Sequence, residues 1–120
     1  MGIEENKEVV RQMWDAYNQG NPMGMGQYMS DNFVRYAPDG TTMDGEGYMK
    51  FCESIVQNTS ESKVIVDDMV AEGDKVAVRM TLSGGYEGKT YVVKEACFVR
   101  IDDGKIVDFY GINTENMWLE

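Results

Sequence analysis

Glu95 interrupts an apolar run, YVVKEACFV, at residues 91–99. A carboxylate that faces a closed apolar interior has its charged form disfavoured. Its pKa then rises toward the range of a general acid or base. Tyr17, Tyr36 and Tyr91 have hydroxyls that could donate to a developing oxyanion. Cys97 lies two residues on and shares the face of Glu95 if the segment is a strand. The chain has no histidine, which removes the commonest general base, the usual zinc ligand and any histidine-based triad. Without that base, and beside a carboxylate that raises its pKa, Cys97 reads as a small buried hydrophobe. Asp67-Asp68 and Asp102-Asp103 sit at strand or turn positions open to solvent and do not assemble a metal ligand set. The stretch SGGYEGKT (83–90) imitates a phosphate loop, but its first position is Ser83 and it joins two strands. No metal and no cofactor are expected.

Helices and strands must position these groups. Residues 6–20 follow a helical period, with Val10, Met13, Trp14 and Tyr17 on one face and Gly20 as the stop. Asn21-Pro22 opens a short second helix, roughly 22–29, weakened by Gly24 and Gly26. Residues 32–37 form a short strand closed by Pro38-Asp39-Gly40. Residues 46–58 form a third helix, with Tyr48, Phe51, Cys52, Ile55 and Val56 inward. Four strands follow: 63–72, 75–83, 86–101 and 105–113. Their turns are expected at Gly73-Asp74, Gly84-Gly85 and Asp103-Gly104, the last a strong hairpin signal. A turn at Gly84-Gly85 pairs Val78 with Tyr91 and Val76 with Val93. Val76, Val78, Met80, Tyr91, Val93, Glu95, Cys97 and Val99 then share one face. That face is the more apolar, so it should face the core. A slip of one residue would reverse it.

With 120 residues, one domain over 1–120 is expected. A 42% hydrophobic content is enough to build a core. The net charge of −10, from 21 acidic against 11 basic residues, would repel a phosphate backbone and an anionic membrane surface, so neither nucleic acid nor membrane is expected as a partner. No apolar run approaches the roughly 20 residues of a membrane helix. The polar, acidic N-terminus does not read as a secretory signal, and two isolated cysteines suit a reducing compartment, so a cytoplasmic location is expected. Ten methionines suit either a loosely specified core or an adaptable apolar pocket.

The stretches VVRQMWDAYNQGN, DNFVRYAPDG, VAEGDKVAVRMTLSGGYEG and FVRIDDGKIVDFY together resemble the SnoaL-like polyketide cyclases. These belong to the wider nuclear-transport-factor-2-like superfamily, with ketosteroid isomerase. The resemblance implies an α+β, cystatin-like cone. Three N-terminal helices would pack on a strongly curved, mostly antiparallel sheet with an apolar pocket at its open end. It also implies dimers through the convex sheet face, and Phe98 and Ala96 on the face opposite Glu95 fit that. The acid–base positions of the family do not carry over. The isomerase tyrosine falls on Met13, its base aspartate on Ala37 and its oxyanion-hole aspartate on Cys97. The cyclase aspartate of the last strand falls on Gly111.

Two readings of function follow. One is a pocket protein for a small apolar molecule, with cofactor-free isomerisation or cyclisation by Glu95. Its pocket would be lined by Met13, Trp14, Tyr17, Tyr36, Phe51, Met80, Tyr91, Cys97, Val99 and Phe109. The other is a non-catalytic binding or dimerisation module of the same fold.

Overall fold

The structure is a computed structural model and describes residues 2–113 and 117–119. Helix α1 spans Ile3–Asn18 and buries Asn6, Val10, Met13, Trp14, Ala16 and Tyr17, the face set by the helical period. Gly20 ends it in a left-handed conformation, φ 78°. A short 3₁₀ helix, Pro22–Tyr28, stands where a second α-helix was expected. Strand β1 (Met29–Tyr36) pairs with the three-residue β2 (Thr42–Asp44). Helix α2 (Gly45–Asn58) is capped by Asp44, whose carboxylate accepts from the Gly47 backbone N–H at 2.7 Å. Of the three expected helices, the second is thus a 3₁₀ turn, and α2 follows the first strand where residues 46–58 were expected to be helical, with the short β2 between them.

The remainder is strand: β3 (Ser60–Glu72), β4 (Lys75–Tyr86), β5 (Lys89–Asp102), β6 (Lys105–Asn113) and β7 (Met117–Leu119). The sheet order is β2-β1-β6-β5-β4-β3, and β7 adds to β5. All neighbours are antiparallel except β1 and β6, which run parallel. Register breaks in β3–β4, β1–β6 and β5–β6 are the irregularities by which a sheet bends. The helices cover one face. Tyr17 and Phe109 are buried between helix and sheet, with Met13, Met25, Met80, Val76 and Val99 around them. The Asn18 side chain ties the end of α1 to β3, donating to the Val64 carbonyl at 2.7 Å and accepting from its N–H at 2.8 Å.

The β4–β5 hairpin corrects one expectation. Its turn is Glu87-Gly88, not Gly84-Gly85. Both turn residues have positive φ, 52° and 80°, as a two-residue hairpin loop of the mirror-image type demands. Gly84 and Gly85 stay in the ladder. Gly84 pairs with Tyr91, and a Cβ on Gly84 would lie 2.7 Å from the Tyr91 hydroxyl oxygen. The missing side chain makes room for that phenol. The actual partner of Val78 is Cys97 rather than Tyr91, a slip of an even number of residues. Side-chain alternation has a period of two, so the faces survive the slip. Among the described residues no helix is long and apolar enough to cross a membrane.

Candidate functional site

The inner face of β5 carries Tyr91, Val93, Glu95, Cys97 and Val99, and the inner face of β4 carries Val76, Val78 and Met80. Met80 lies directly across from Glu95. Glu95 is half-buried, and its side chain forms no ion pair or hydrogen bond among the described residues. Burial pushes its carboxyl above the usual carboxylate range, and the positive charge of Arg35 partly opposes that.

Arg35 is the functional candidate that sequence reasoning missed. It points inward from β1 and is only 9% exposed. Its Nε is buried and has no hydrogen-bond partner among the described residues. Its guanidinium lies 5.4 Å from the Tyr48 ring centre and 5.7 Å from that of Phe51, within cation–π range. One signal in the sequence pointed to it. In FVRY (33–36), taking Phe33 as the core residue places Arg35 on the same inner face.

The same parity corrects Tyr36. It lies on the outer face, stacked on Tyr110 at 4.3 Å between ring centres, and does not belong to the inner cluster. Phe33 and Arg35 take the inward positions of β1, which leaves Val34 and Tyr36 outward.

Tyr17 faces the cluster from α1, but its hydroxyl is hydrogen-bonded to Ser62 Oγ at 2.6 Å. Burial raises its pKa to about 12. Tyr48 and Cys52 face it from α2. Burial lifts the Tyr48 phenol well above its ordinary value and the Cys52 thiol to about 12. Cys97 is likewise raised to about 12 by burial, and the charge of Glu95 adds to the rise. At neutral pH these phenols and thiols hold their protons, so they are donors or packing groups and not nucleophiles. Met13, Trp14, Val99 and Phe109 are packed deeper. Phe109 sits 5.4 Å from Tyr48 and 6.1 Å from Trp14, ring centre to ring centre. They form the floor of the site rather than its opening. Phe51, 39% exposed, stands at the rim.

A recess of about 370 Å³ opens between the end of α2 and the inner face of β4 and β5. Ser54, Ile55, Asn58, Leu82, Tyr91 and Val93 are among its walls. Glu95 and Phe51 are not among its walls; Glu95 is the next residue on the same face of β5 after Val93, and Phe51 lies one turn before Ile55 on α2. No group of three or more His, Cys, Asp or Glu side chains suited to a metal occurs among the described residues.

The SnoaL-like domain family matches residues 10–109. The chain belongs to that family. Its fold recurs in solved structures. AclR of Streptomyces galilaeus, a candidate hydroxylase, is 21% identical. The match covers 94% of this chain and 81% of that one, with a TM-score of 0.84. IdmH of Streptomyces antibioticus, a candidate polyketide cyclase, is 21% identical over 90% of this chain and 91% of its own, with a TM-score of 0.81. TerC, co-crystallised with polyporic acid, is 17% identical over 92% of both chains, with a TM-score of 0.80. At these identities the likeness is one of fold. None of the curated proteins matches the chain by sequence. Gly111 of this SnoaL-like chain, expected from the resemblance at the place of the cyclase aspartate, lies in β6. The Arg35 guanidinium lies over that glycine, and a Cβ there would stand 3.4 Å from Arg35 Nη2.

Proposed function

We propose that this SnoaL-like protein binds a small, largely apolar molecule in the recess beside β5 and that Glu95 performs cofactor-free acid–base chemistry on it, an isomerisation or a cyclisation. The observation that carries the reading is Glu95 itself, a half-buried carboxylate without an ion pair among the described residues, raised toward a working pKa by burial. In its ionised form it would take a proton from a carbon next to a carbonyl. In its protonated form it would return one. The protein class supports a small-molecule role: IdmH is a candidate polyketide cyclase and TerC was co-crystallised with polyporic acid. Glu95→Gln keeps the shape and removes the titration, so turnover of any substrate found should be lost and binding kept. Turnover that persists in Glu95→Gln removes Glu95 as the acid–base group.

A binding module without chemistry is the second reading. It is favoured by one observation: the Tyr17 hydroxyl is already engaged by Ser62. In that case the wild type turns over no ligand that it binds, and Glu95→Gln alters stability alone, leaving ligand affinity unchanged.

We also propose that two copies pair through the outer sheet face. Phe98, Tyr110 and Ile112 are each about half exposed there, around a groove of about 720 Å³. Apolar groups grouped on one sheet face call for cover. A monomer mass in light scattering at micromolar concentration would refute the pairing.

A further inference from the structure

Strand β3 is an edge of the sheet and pairs with β4 alone. An edge strand presents backbone N–H and C=O groups that no neighbouring strand takes up. At Val64 both are taken by the Asn18 carboxamide, which donates to the carbonyl and accepts from the N–H as a peptide group would. Val64 therefore exchanges no hydrogen bonds with Leu82, its partner across the ladder. In an antiparallel ladder the kind of pair repeats every second residue, so Val66 opposite Met80 is of the same kind. Asp67 is the extra residue of a bulge, and beyond it Met69 opposite Val78 is of that kind again. Val66 and Met69 thus turn their N–H and C=O away from β4. No hydrogen bond from outside the ladder reaches either of them among the described residues.

This edge forms one wall of a groove of about 490 Å³. Val66, Asp68 and Met69 stand on one side, and Glu8, Arg11 and Asp15 of α1 on the other. From Val64 to Met69 the strand runs about 17 Å. From Glu8 to Asn18 the helix runs about 15 Å. The groove follows the strand for a length that a short extended peptide can fill. Its charge is negative. Arg11 is engaged by Glu8 at 3.4 Å. Asp15 and Asp68 are exposed and form no ion pair among the described residues. A second copy of the chain is a poor occupant. β3 carries Glu61, Asp67, Asp68 and Glu72 against Lys63, and two such edges side by side would set like charges together.

We propose that the groove between α1 and the free edge of β3 is a docking site for an extended basic peptide. The peptide adds a strand to the sheet through Val66 and Met69 and sets its lysines or arginines against Asp15 and Asp68. Main-chain hydrogen bonds hold such a strand, and the side chains beside it select the sequence. The groove shares no wall residue with the recess beside β5, so the proposal needs nothing from Glu95.

Two probes separate strand addition from plain charge attraction. One is a blocked heptapeptide of alternating lysine and valine. The other is its twin, methylated at every backbone nitrogen, which keeps the charges and loses the ladder donors. Both are titrated into the full chain and followed by NMR and amide hydrogen exchange. The wild type should bind the first about tenfold or more tightly than the second. The Val66 and Met69 amides should become protected from exchange when the first peptide is bound. Asp15→Lys combined with Asp68→Lys should weaken that peptide about tenfold, with the melting temperature nearly unchanged. Equal affinity for the two peptides overturns the proposal, as does binding of neither. Unchanged affinity in the double variant, or protection confined to other strands, overturns it as well. Protection of Val66 and Met69 that rises with protein concentration alone would mean that a second copy fills the edge, and that too ends it.

Discussion

The two faces of strand β5 treat charge in opposite ways. On the outer face, Arg100 is paired with Asp108 at 2.8 Å, and the Lys94 ammonium donates to Thr81 Oγ1, which in turn donates to Asp67. On the inner face, neither Glu95 nor Arg35, facing it from β1, has an ion pair among the described residues. Solvent-exposed charge costs little, and its pairing contributes little. Buried charge costs much, and a chain that leaves it unpaired has given up stability at that place. The difference teaches where to look. The groups that lower stability without compensation are the ones open to a ligand.

The largest expected effect tests the inner face directly. Glu95→Gln should lower turnover by about 10²–10⁴-fold, the usual scale of general acid–base assistance, read as kcat on a substrate once found. Next comes packing. Phe109→Ala should cost about 3–5 kcal/mol in chemical denaturation, because Phe109 is fully enclosed. Phe98→Ala on the outer face, 52% exposed, should cost far less in the isolated chain. Equal costs would erase the distinction between the faces. Third, Phe98→Glu should weaken self-association by about 2 kcal/mol or more, seen as a shift from dimer to monomer mass. Its thermal stability as a monomer should change little.

The fourth prediction concerns pH. The Glu95 pKa is raised in the folded state, so the folded protein prefers the protonated form more than the unfolded chain does. The stability this gives is complete below the unfolded pKa, about 4.3 for a glutamate, and is lost as pH rises through the raised folded value. Glu95→Gln should therefore melt a few degrees above wild type at neutral pH, with the gain closing as pH falls below the unfolded value. A gain that grew in acid would mean that Glu95 is held ionised by Arg35 instead. The smallest effect is outside: Arg100→Gln breaks a partly exposed ion pair and should cost less than about 1 kcal/mol, measured by the same denaturation.

Particular residues show why the sequence was legible in part. The amphipathic face of α1 could be read because Val10, Met13, Trp14 and Tyr17 repeat with the helix, and all four are buried. The last hairpin could be read because Asp103-Gly104 fits its turn, with φ of 50° and 75°. The preceding hairpin misled because Gly84-Gly85 is the stronger turn signal, whereas Glu87 adopts a conformation glutamate rarely takes. Tyr36 was read as a hydroxyl donor because its strand was too short to assign parity. The three-residue β2 carried no period long enough to be seen.

What the sequence by itself determined is the face of Glu95. Alternation along a strand has a period of two, so Glu95, Cys97 and Val99 stay together, and an even slip of register leaves them facing inward. The tertiary structure alone decided that Arg35 meets them. β1 joins the sheet as the parallel neighbour of β6, and β6 lies between β1 and β5. No local pattern encodes that placement, because a parallel pairing between distant segments is fixed by the closure of the whole sheet around its helices. Gly111 in the intervening strand lets the Arg35 guanidinium pack against the backbone, a Cβ there standing 3.4 Å from Nη2.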